Sequence, residues 1–401
     1  MSRKNFFVVI CITIFIVAFA LYQPNLHSKK EKATDKSNSF SIAQEDALEE
    51  FKYLSSIIEK NYTNLPYLEE SKTINMKQLT NTYSKKLNAG LNLPEYKTLL
   101  QSYLKEFKDS ELTILTYDQY RDLYNIFSNR EESEIYKLLK EEDTKKVYAE
   151  FKNETENKSN TNLVLDTIGD KVALIRIDDF NQRYKVEDGK KILEFLKKSN
   201  SYPYLIIDLR KNSGKSLTYV MDNIIRPLSK NTNVTEFKIL QRTKDFSKVL
   251  EDINVISGFT VNTEYADTKG ISSEMMKFEQ SEQFPYYQSY TVRDNSTNTA
   301  NFNGEIYILQ SKDTGEAGDF LCQFSNRTHF GKTVGTFTKG NGIAPLNAVV
   351  KLPKSHLLLS LPYGAGINED GYLNNLNGTY AEIPVSEKED SLDYVLNMIS
   401  Q

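Results

Sequence analysis

Cysteine is almost absent from this chain: 401 residues hold two, Cys11 and Cys322. Cys11 lies in an N-terminal apolar run and Cys322 near the other end, so no internal disulfide is expected. Two thiols also cannot build a CxxC-type metal site. Histidine is equally scarce. His27, His329 and His356 lack metal-ligand spacing and read as ordinary surface or core side chains. Positive charge is not in excess either. The 50 Lys and Arg against 54 Asp and Glu give a net charge of −4, which supplies no basic field and disfavours nucleic acid as a partner. No residue set calls for a cofactor or metal. What remains, 39% hydrophobic and 26% charged, is the composition of a globular chain long enough for two or three domains.

The clearest local signal is at the start. Arg3 and Lys4 precede an apolar stretch over 6–22, roughly 17 residues and at the low end of a bilayer span. The basic flank orients its N-terminus to the cytoplasm, with the rest of the chain exported. Ala18-Phe19-Ala20 resembles a small-residue cleavage site, so a removed signal peptide is the alternative to a retained anchor. No sharp polar region separates the run from that site, which favours the anchor. The expectation is a chain working outside the cytoplasm, tethered through 6–22 or secreted. The lack of paired cysteines fits a bacterial surface.

Residues 1–27 thus form the anchor or signal segment. Residues 28–45, rich in Lys, Ser, Asn and Asp, read as a solvated linker. Ala47, Phe51, Leu54 and Ile58 then recur on one helical face, and Tyr96, Leu99, Leu100, Tyr103, Leu104 and Phe107 form a second stripe after Pro94. These define a small helical domain over 46–115. Residues 116–162 read as a helical connector ending in a polar run. From 163 to 401 the pattern becomes strand–helix–strand: strands at 172–177 and 204–209, helices at 186–198 and 217–228, and further strands at 236–240, 287–292, 305–309 and 356–361. This favours an α/β domain with helices covering its sheet. The stretch 253–284 reads as an insertion.

Four ordered segments carry a resemblance. They are Val172-Ala-Leu-Ile-Arg-Ile-Asp-Asp-Phe180; Leu205-Ile-Ile-Asp-Leu-Arg-Lys-Asn-Ser-Gly214; Phe302-Asn-Gly-Glu-Ile-Tyr-Ile-Leu309 running into Thr314-Gly-Glu-Ala-Gly-Asp319; and Val334-Gly335 through Lys339-Gly-Asn-Gly342, followed by Lys351-Leu-Pro-Lys-Ser-His-Leu-Leu-Leu359. Together, over about 168–385, they resemble the tail-specific or C-terminal processing serine proteases, in the branch that lacks a PDZ domain or is tricorn-like. The second segment is similar to that family's D-L-R-x-N-x-G-G. The resemblance implies an α/β core of the ClpP/crotonase-like type behind the helical domain.

Acyl transfer needs a nucleophile, a base and oxyanion donors. The resemblance places Glu316 where the family keeps its serine, and a carboxylate has no proton for a base to remove. Where tricorn-like members carry histidine, Asp109-Ser-Glu-Leu-Thr113 offers Glu111. Lys339 matches the lysine of the processing proteases and is expected either to pair with Glu316 or to stand as a solvated turn residue. In the oxyanion loop Gly214 is kept, its second glycine is Lys215, and Ala317 follows the nucleophile position. Asn377 stands where an acidic residue is usual. These coordinated losses predict a non-hydrolytic member that binds a peptide or protein ligand in its cleft, by strand addition at the cleft edge. The alternatives are an active hydrolase, serine-type or using Glu316 and Glu111 as paired carboxylates, and a purely structural spacer.

Overall fold

Capping residues and apolar stripes set out the first half of the fold. The computed structural model describes residues 41–87, 91–153, 162–252, 259–271, 275–344 and 346–400. The apolar run over 6–22 and the linker up to residue 40 lie outside them. Among the described residues no helix is long and apolar enough to cross a membrane. The described residues already include a strand before the expected linker end at residue 45. β1 (Ser41–Ile42) pairs antiparallel with β2 (Leu91–Asn92), and α1 starts at Gln44 because Ile42 and Ala47 are already in the core.

Seven helices follow: α1 (Gln44–Asn61), α2 (Leu65–Glu70), α3 (Met76–Ser84), α4 (Leu93–Lys105), α5 (Tyr117–Phe127), α6 (Glu134–Leu139) and α7 (Glu142–Glu150). Reciprocal capping boxes open α4 (Asn92 with Glu95) and α5 (Thr116 with Gln119). The segment read as a connector is not separate from the helical domain. Tyr120 stacks on Tyr148 at 4.4 Å between centroids, and Tyr148 and Phe151 share one core with Phe51 and Tyr103. That core also takes Leu357, Leu359 and Leu361, and β3 (Thr113–Ile114) pairs with the strand that carries two of them. The whole of Ser41–Gln401 is one compact unit.

The α/β part is a six-stranded sheet in the order β15-β11-β10-β6-β5-β4. Its strands are β4 (Leu163–Ile168), β5 (Val172–Ile177), β6 (Tyr204–Asp208), β10 (Glu305–Gln310), β11 (Lys332–Gly335) and β15 (Ile383–Pro384). All pairs are parallel except β4 with β5. Parallel strands buried on both faces read as continuous apolar runs. Here Ala173, Ile175 and Ile177 face one core while Val172 and Leu174 face another. The first core holds α8 (Lys185–Lys198), α9 (Leu217–Val220, continuing through a π-helical turn at Met221–Ile225 into Arg226–Leu228) and α10 (Ala317–Thr328). The second holds Val395 of the last helix, Ser391–Ser400.

A second sheet, β14-β7-β9-β8, joins β7 (Val234–Gln241), β8 (Thr260–Asp267), β9 (Tyr286–Arg293) and β14 (Gly364–Gly366). Part of the expected insertion is therefore an edge strand. β8 alternates exposed with half-buried residues and has no fully buried one, so its apolar signal is weak. A third sheet sets β13 (Leu358–Leu361) between β12 (Ala348–Lys351) and β3. β13 starts two residues later than expected because His356 adopts a left-handed φ of 56° in the preceding turn.

Glu50 fastens α1 to that turn. It is fully buried, and its Oε2 accepts the backbone N–H groups of Lys354 (2.5 Å) and Ser355 (2.8 Å). Above it the Lys354 ammonium reaches the exposed carboxylates of Asp46 and Glu49 at 3.1 and 2.9 Å. Burial decides which matters. Glu50→Ala is expected to lower stability by about 2–3 kcal/mol, because two buried donors lose their acceptor. Lys354→Ala, which removes only exposed pairs, is expected to change it by less than about 1 kcal/mol. Urea denaturation of the two variants checks the ordering, and equal losses would contradict it.

Candidate functional site

The D-L-R-x-N-x-G segment builds one wall of the site. Asp208 ends β6 and is nearly fully buried. Burial alone would raise its pKa, but Arg210 and Arg176 outweigh that and hold it below the usual carboxylate range. Arg210 donates Nε and Nη2 to the two carboxylate oxygens at 2.9 and 2.8 Å, and Arg176 Nε donates at 3.0 Å. Asn212 Nδ2 donates to the Ile177 carbonyl at 2.9 Å, which ties the following loop to β5. Gly214 then passes so close to Asp179 and Phe180 that a Cβ would meet the Phe180 nitrogen at 2.1 Å.

The opposite wall is a tight elbow between β10 and α10. Glu316 sits at its apex, at the N-terminus of α10, with φ 53° and ψ −121°. A non-glycine residue holds such a conformation only where its surroundings fix it. Here the Glu316 N–H donates to the Gly340 carbonyl at 3.0 Å, and the Lys339 N–H to Thr314 O at 2.7 Å. Within the first turn of α10, Asp319 is fully buried and accepts from the Thr338 and Thr379 hydroxyls, Asn374 Nδ2 (2.9 Å) and the Gly342 N–H (2.8 Å).

Between the walls, three carboxylates and two lysines converge electrostatically. Glu316 is 8% exposed and accepts one side-chain hydrogen bond, from Asn341 Nδ2 at 3.3 Å. Burial first, then the charge of Glu111, push its pKa up to about 8 against the opposing effects of Lys215, Asn341 and Lys339. Glu111 Oε2 accepts from Lys215 Nζ at 2.5 Å and from Asn347 Nδ2 at 3.1 Å. Asp109, raised chiefly by burial, accepts from Tyr62 Oη at 2.8 Å and from the Glu111 N–H at 2.8 Å. Lys215 is about half exposed at the cavity mouth; the loss of some solvent there would lower its pKa, but Glu111, Glu316 and Asp109 together raise it.

Glu316, Glu111, Lys215 and Gly214 thus line one cavity of about 390 Å³, whose other walls include Leu123, Ile126, Phe127, Phe180 and Leu217. Lys339 is exposed, lies beyond 4.0 Å from Glu316, and packs its stem beside Gly315, so the alternative of a direct Glu316–Lys339 pair is not realised. Lys215, standing at the missing glycine, supplies the close cation instead, and it pairs with Glu111. Asn377 ends the short α11 (Asn374–Asn377), whereas Asn375 lines the crevice beside Glu316 with Asp109 and Asn341. Two backbone donors at this place are taken, whereas the Lys215 N–H makes no hydrogen bond among the described residues. Ala317 N–H donates to the Gly214 carbonyl at 2.9 Å and Gly214 N–H to Asn212 Oδ1 at 3.1 Å. Among the described residues no group of three or more His, Cys, Asp or Glu side chains is arranged to hold a metal ion.

Asn341 and Asp109 belong to segments already singled out in the sequence, though not as site residues. Asn347 carries no sequence signal.

The raised Glu316 carboxyl makes stability depend on pH. The folded state keeps a proton there that the unfolded chain gives up near its ordinary 4.5. The contribution of that proton is complete below pH 4.5 and is lost as pH rises to about 8, at up to roughly 1.4 kcal/mol per pH unit. Glu316→Gln has no such proton to lose. Its melting temperature relative to the native protein is expected to rise steadily across this window and level off above it. A pH-independent difference would count against the buried, protonated carboxyl.

Residues 171–384, more than half of the chain, match the family model for Peptidase family S41. No curated protein matches the chain at a significant level. Among solved structures, a candidate peptidase from Parabacteroides merdae is 11% identical with a TM-score of 0.53, covering 90% of this chain and 98% of its own. Mature CPAF complexed with lactacystin is 12% identical with a TM-score of 0.52, covering 89% and 98%. At such identities the likeness is one of fold, and it runs through the helical layer as well as the sheet. By its family-model match, this chain is a member of peptidase family S41.

Proposed function

We propose that this chain is a non-hydrolytic member of its family, held outside the cytoplasm by its N-terminal apolar run, which binds a peptide or protein in the cavity beside Glu316. One observation carries the reading: the elbow presents a buried carboxyl where acyl transfer needs a nucleophile, and the Ala317 N–H beside it is already bonded to Gly214 O. The cavity itself is kept open and mostly apolar, as a binding site requires. β12 supports strand addition as the binding mode. It pairs with β13 on one side only, and Val349 on it lines the cavity.

The full-length protein is expected neither to cleave casein nor to react with a fluorophosphonate probe. Glu316→Ser alone is expected to stay unlabelled, because the Ala317 N–H remains bonded to Gly214 O and Lys215, paired with Glu111, is no free base. Labelling of either form, read by gel fluorescence, would overturn the reading.

A second reading, hydrolysis by paired carboxylates, has one observation in its favour. Glu316 holds a proton at neutral pH, and Glu111, ion-paired with Lys215, lines the same cavity. Against it, Glu111 is engaged by Lys215 and Asn347. Turnover of chromogenic glycosides that disappears in both Glu316→Gln and Glu111→Gln would establish it. No turnover is expected.

A further inference from the structure

We infer that the polar end of the cavity is a receptor for a cationic side-chain head, the ammonium of lysine or the guanidinium of arginine on the bound peptide, with the Glu316 carboxylate as its acceptor. The inference rests on the peptide-binding reading above and names what that site selects.

The charge balance is the first ground. Asp109, Glu111 and Glu316 are felt together by Lys215, and Lys339 is felt by Glu316 and Asp109. Three carboxylates therefore face two ammonium groups. With all five ionised the cluster is one positive charge short, and a proton on Glu316 makes up the difference. A ligand cation can replace that proton and leave the cluster neutral.

The second ground is the hydrogen-bonding state of Glu316. The side chain is more than nine-tenths buried, yet its sole side-chain partner is Asn341 through one oxygen at 3.3 Å. The other carboxylate oxygen has no hydrogen-bond partner among the described residues, and the side chain lines the cavity. This oxygen is not among the sealed, unpartnered polar atoms of the described residues, so it keeps access to the cavity and is available to a donor arriving there.

The third ground is that the helix end offers no free donor to an anion and Lys215, the lysine lining the cavity, is already paired with Glu111. A helix N-terminus ordinarily favours an anion. At α10 the Ala317 N–H is committed to Gly214 O, and the side chain at the apex is itself a carboxyl. A ligand carboxylate would meet Glu111 and Glu316 without a free donor from this turn. The apolar walls complete the fit, since Leu123, Phe127, Phe180 and Leu217 can cover the methylene stem of a long basic residue.

The charged groups around Glu316 set the pH response. Glu111, Asp109, Lys215 and Lys339 surround it, with Asp122 and Asp179 also lining the cavity. Binding a cation expels the Glu316 proton, so affinity for it grows as pH rises towards 8.

The test uses the full-length protein and fluorescein-labelled peptides of one Gly/Ser host, amidated at the C-terminus, with a single central lysine, arginine, norleucine or glutamate. At about pH 9 the lysine and arginine peptides are expected to bind about tenfold more tightly than the norleucine peptide by anisotropy, and the glutamate peptide most weakly. Lowering the pH to about 6 is expected to shrink the lysine advantage to about twofold. In Glu316→Gln, checked by circular dichroism, the lysine preference is expected to vanish. If that variant does not fold, Lys215→Met decides, because removing the resident cation is expected to enlarge the preference. Norleucine binding as well as lysine, a preference that survives Glu316→Gln, or one that falls in Lys215→Met would each overturn the inference while leaving peptide binding intact. Failure of every peptide to bind would overturn the peptide-binding reading and this inference with it.

Discussion

The carboxylate of Asp319 organises this molecule. A fully buried carboxylate is unfavourable unless its oxygens are satisfied, and here four donors from three separate stretches of chain meet it. The stretches are the turn at 338–342, the short helix beginning at Asn374, and Thr379 beyond it. Because Asp319 lies in the first turn of α10, satisfying it brings all three against the helix N-terminus. The turn then supplies the carbonyl that holds the Glu316 backbone at positive φ. Two of these stretches, through Asn341 and Asn375, also line the crevice beside Glu316. The form of the site thus follows from one buried anion, and it does so whether or not the residue at the apex can do chemistry.

That separation explains how the chain keeps its family's architecture with Glu316 in place. The requirements on the backbone come from Asp319, Asn212 and the close approach at Gly214, none of which involves the apex side chain. A longer, charged side chain at 316 needs only room and a counter-charge. The cavity gives the first. Lys215, at a position that would otherwise be glycine, gives part of the second.

Much of the sheet was legible in the sequence. β5, β6 and β10 are continuous apolar runs because both their faces are covered, and helices α1 and α4 show clean stripes, α4 with a capping box. β8 was not legible, since neither face is fully buried. The D-L-R-x-N-x-G and T-G-E-A-G-D segments located the two walls of the site, and Glu111 was reached through its neighbours in sequence. Which lysine comes close was not legible. Lys215 and Glu111 are 104 residues apart, and a lysine stem long enough to span a cavity leaves no periodicity behind. Asn377 and Asn375 differ by half a helical turn, which decides whether a side chain faces the crevice and falls within the error of any motif match.

The Glu50 latch has a mechanical side. β1 and the first turn of α1 are where the described fold begins, and the β1–β2 pair is only two residues long. Tension applied from the N-terminal side of the chain would load that pair in shear and then run down α1. Glu50 connects the helix to the turn between β12 and β13, the hairpin whose outer strand edges the cavity. Load carried along α1 therefore passes, through Glu50, to the rim of the candidate site.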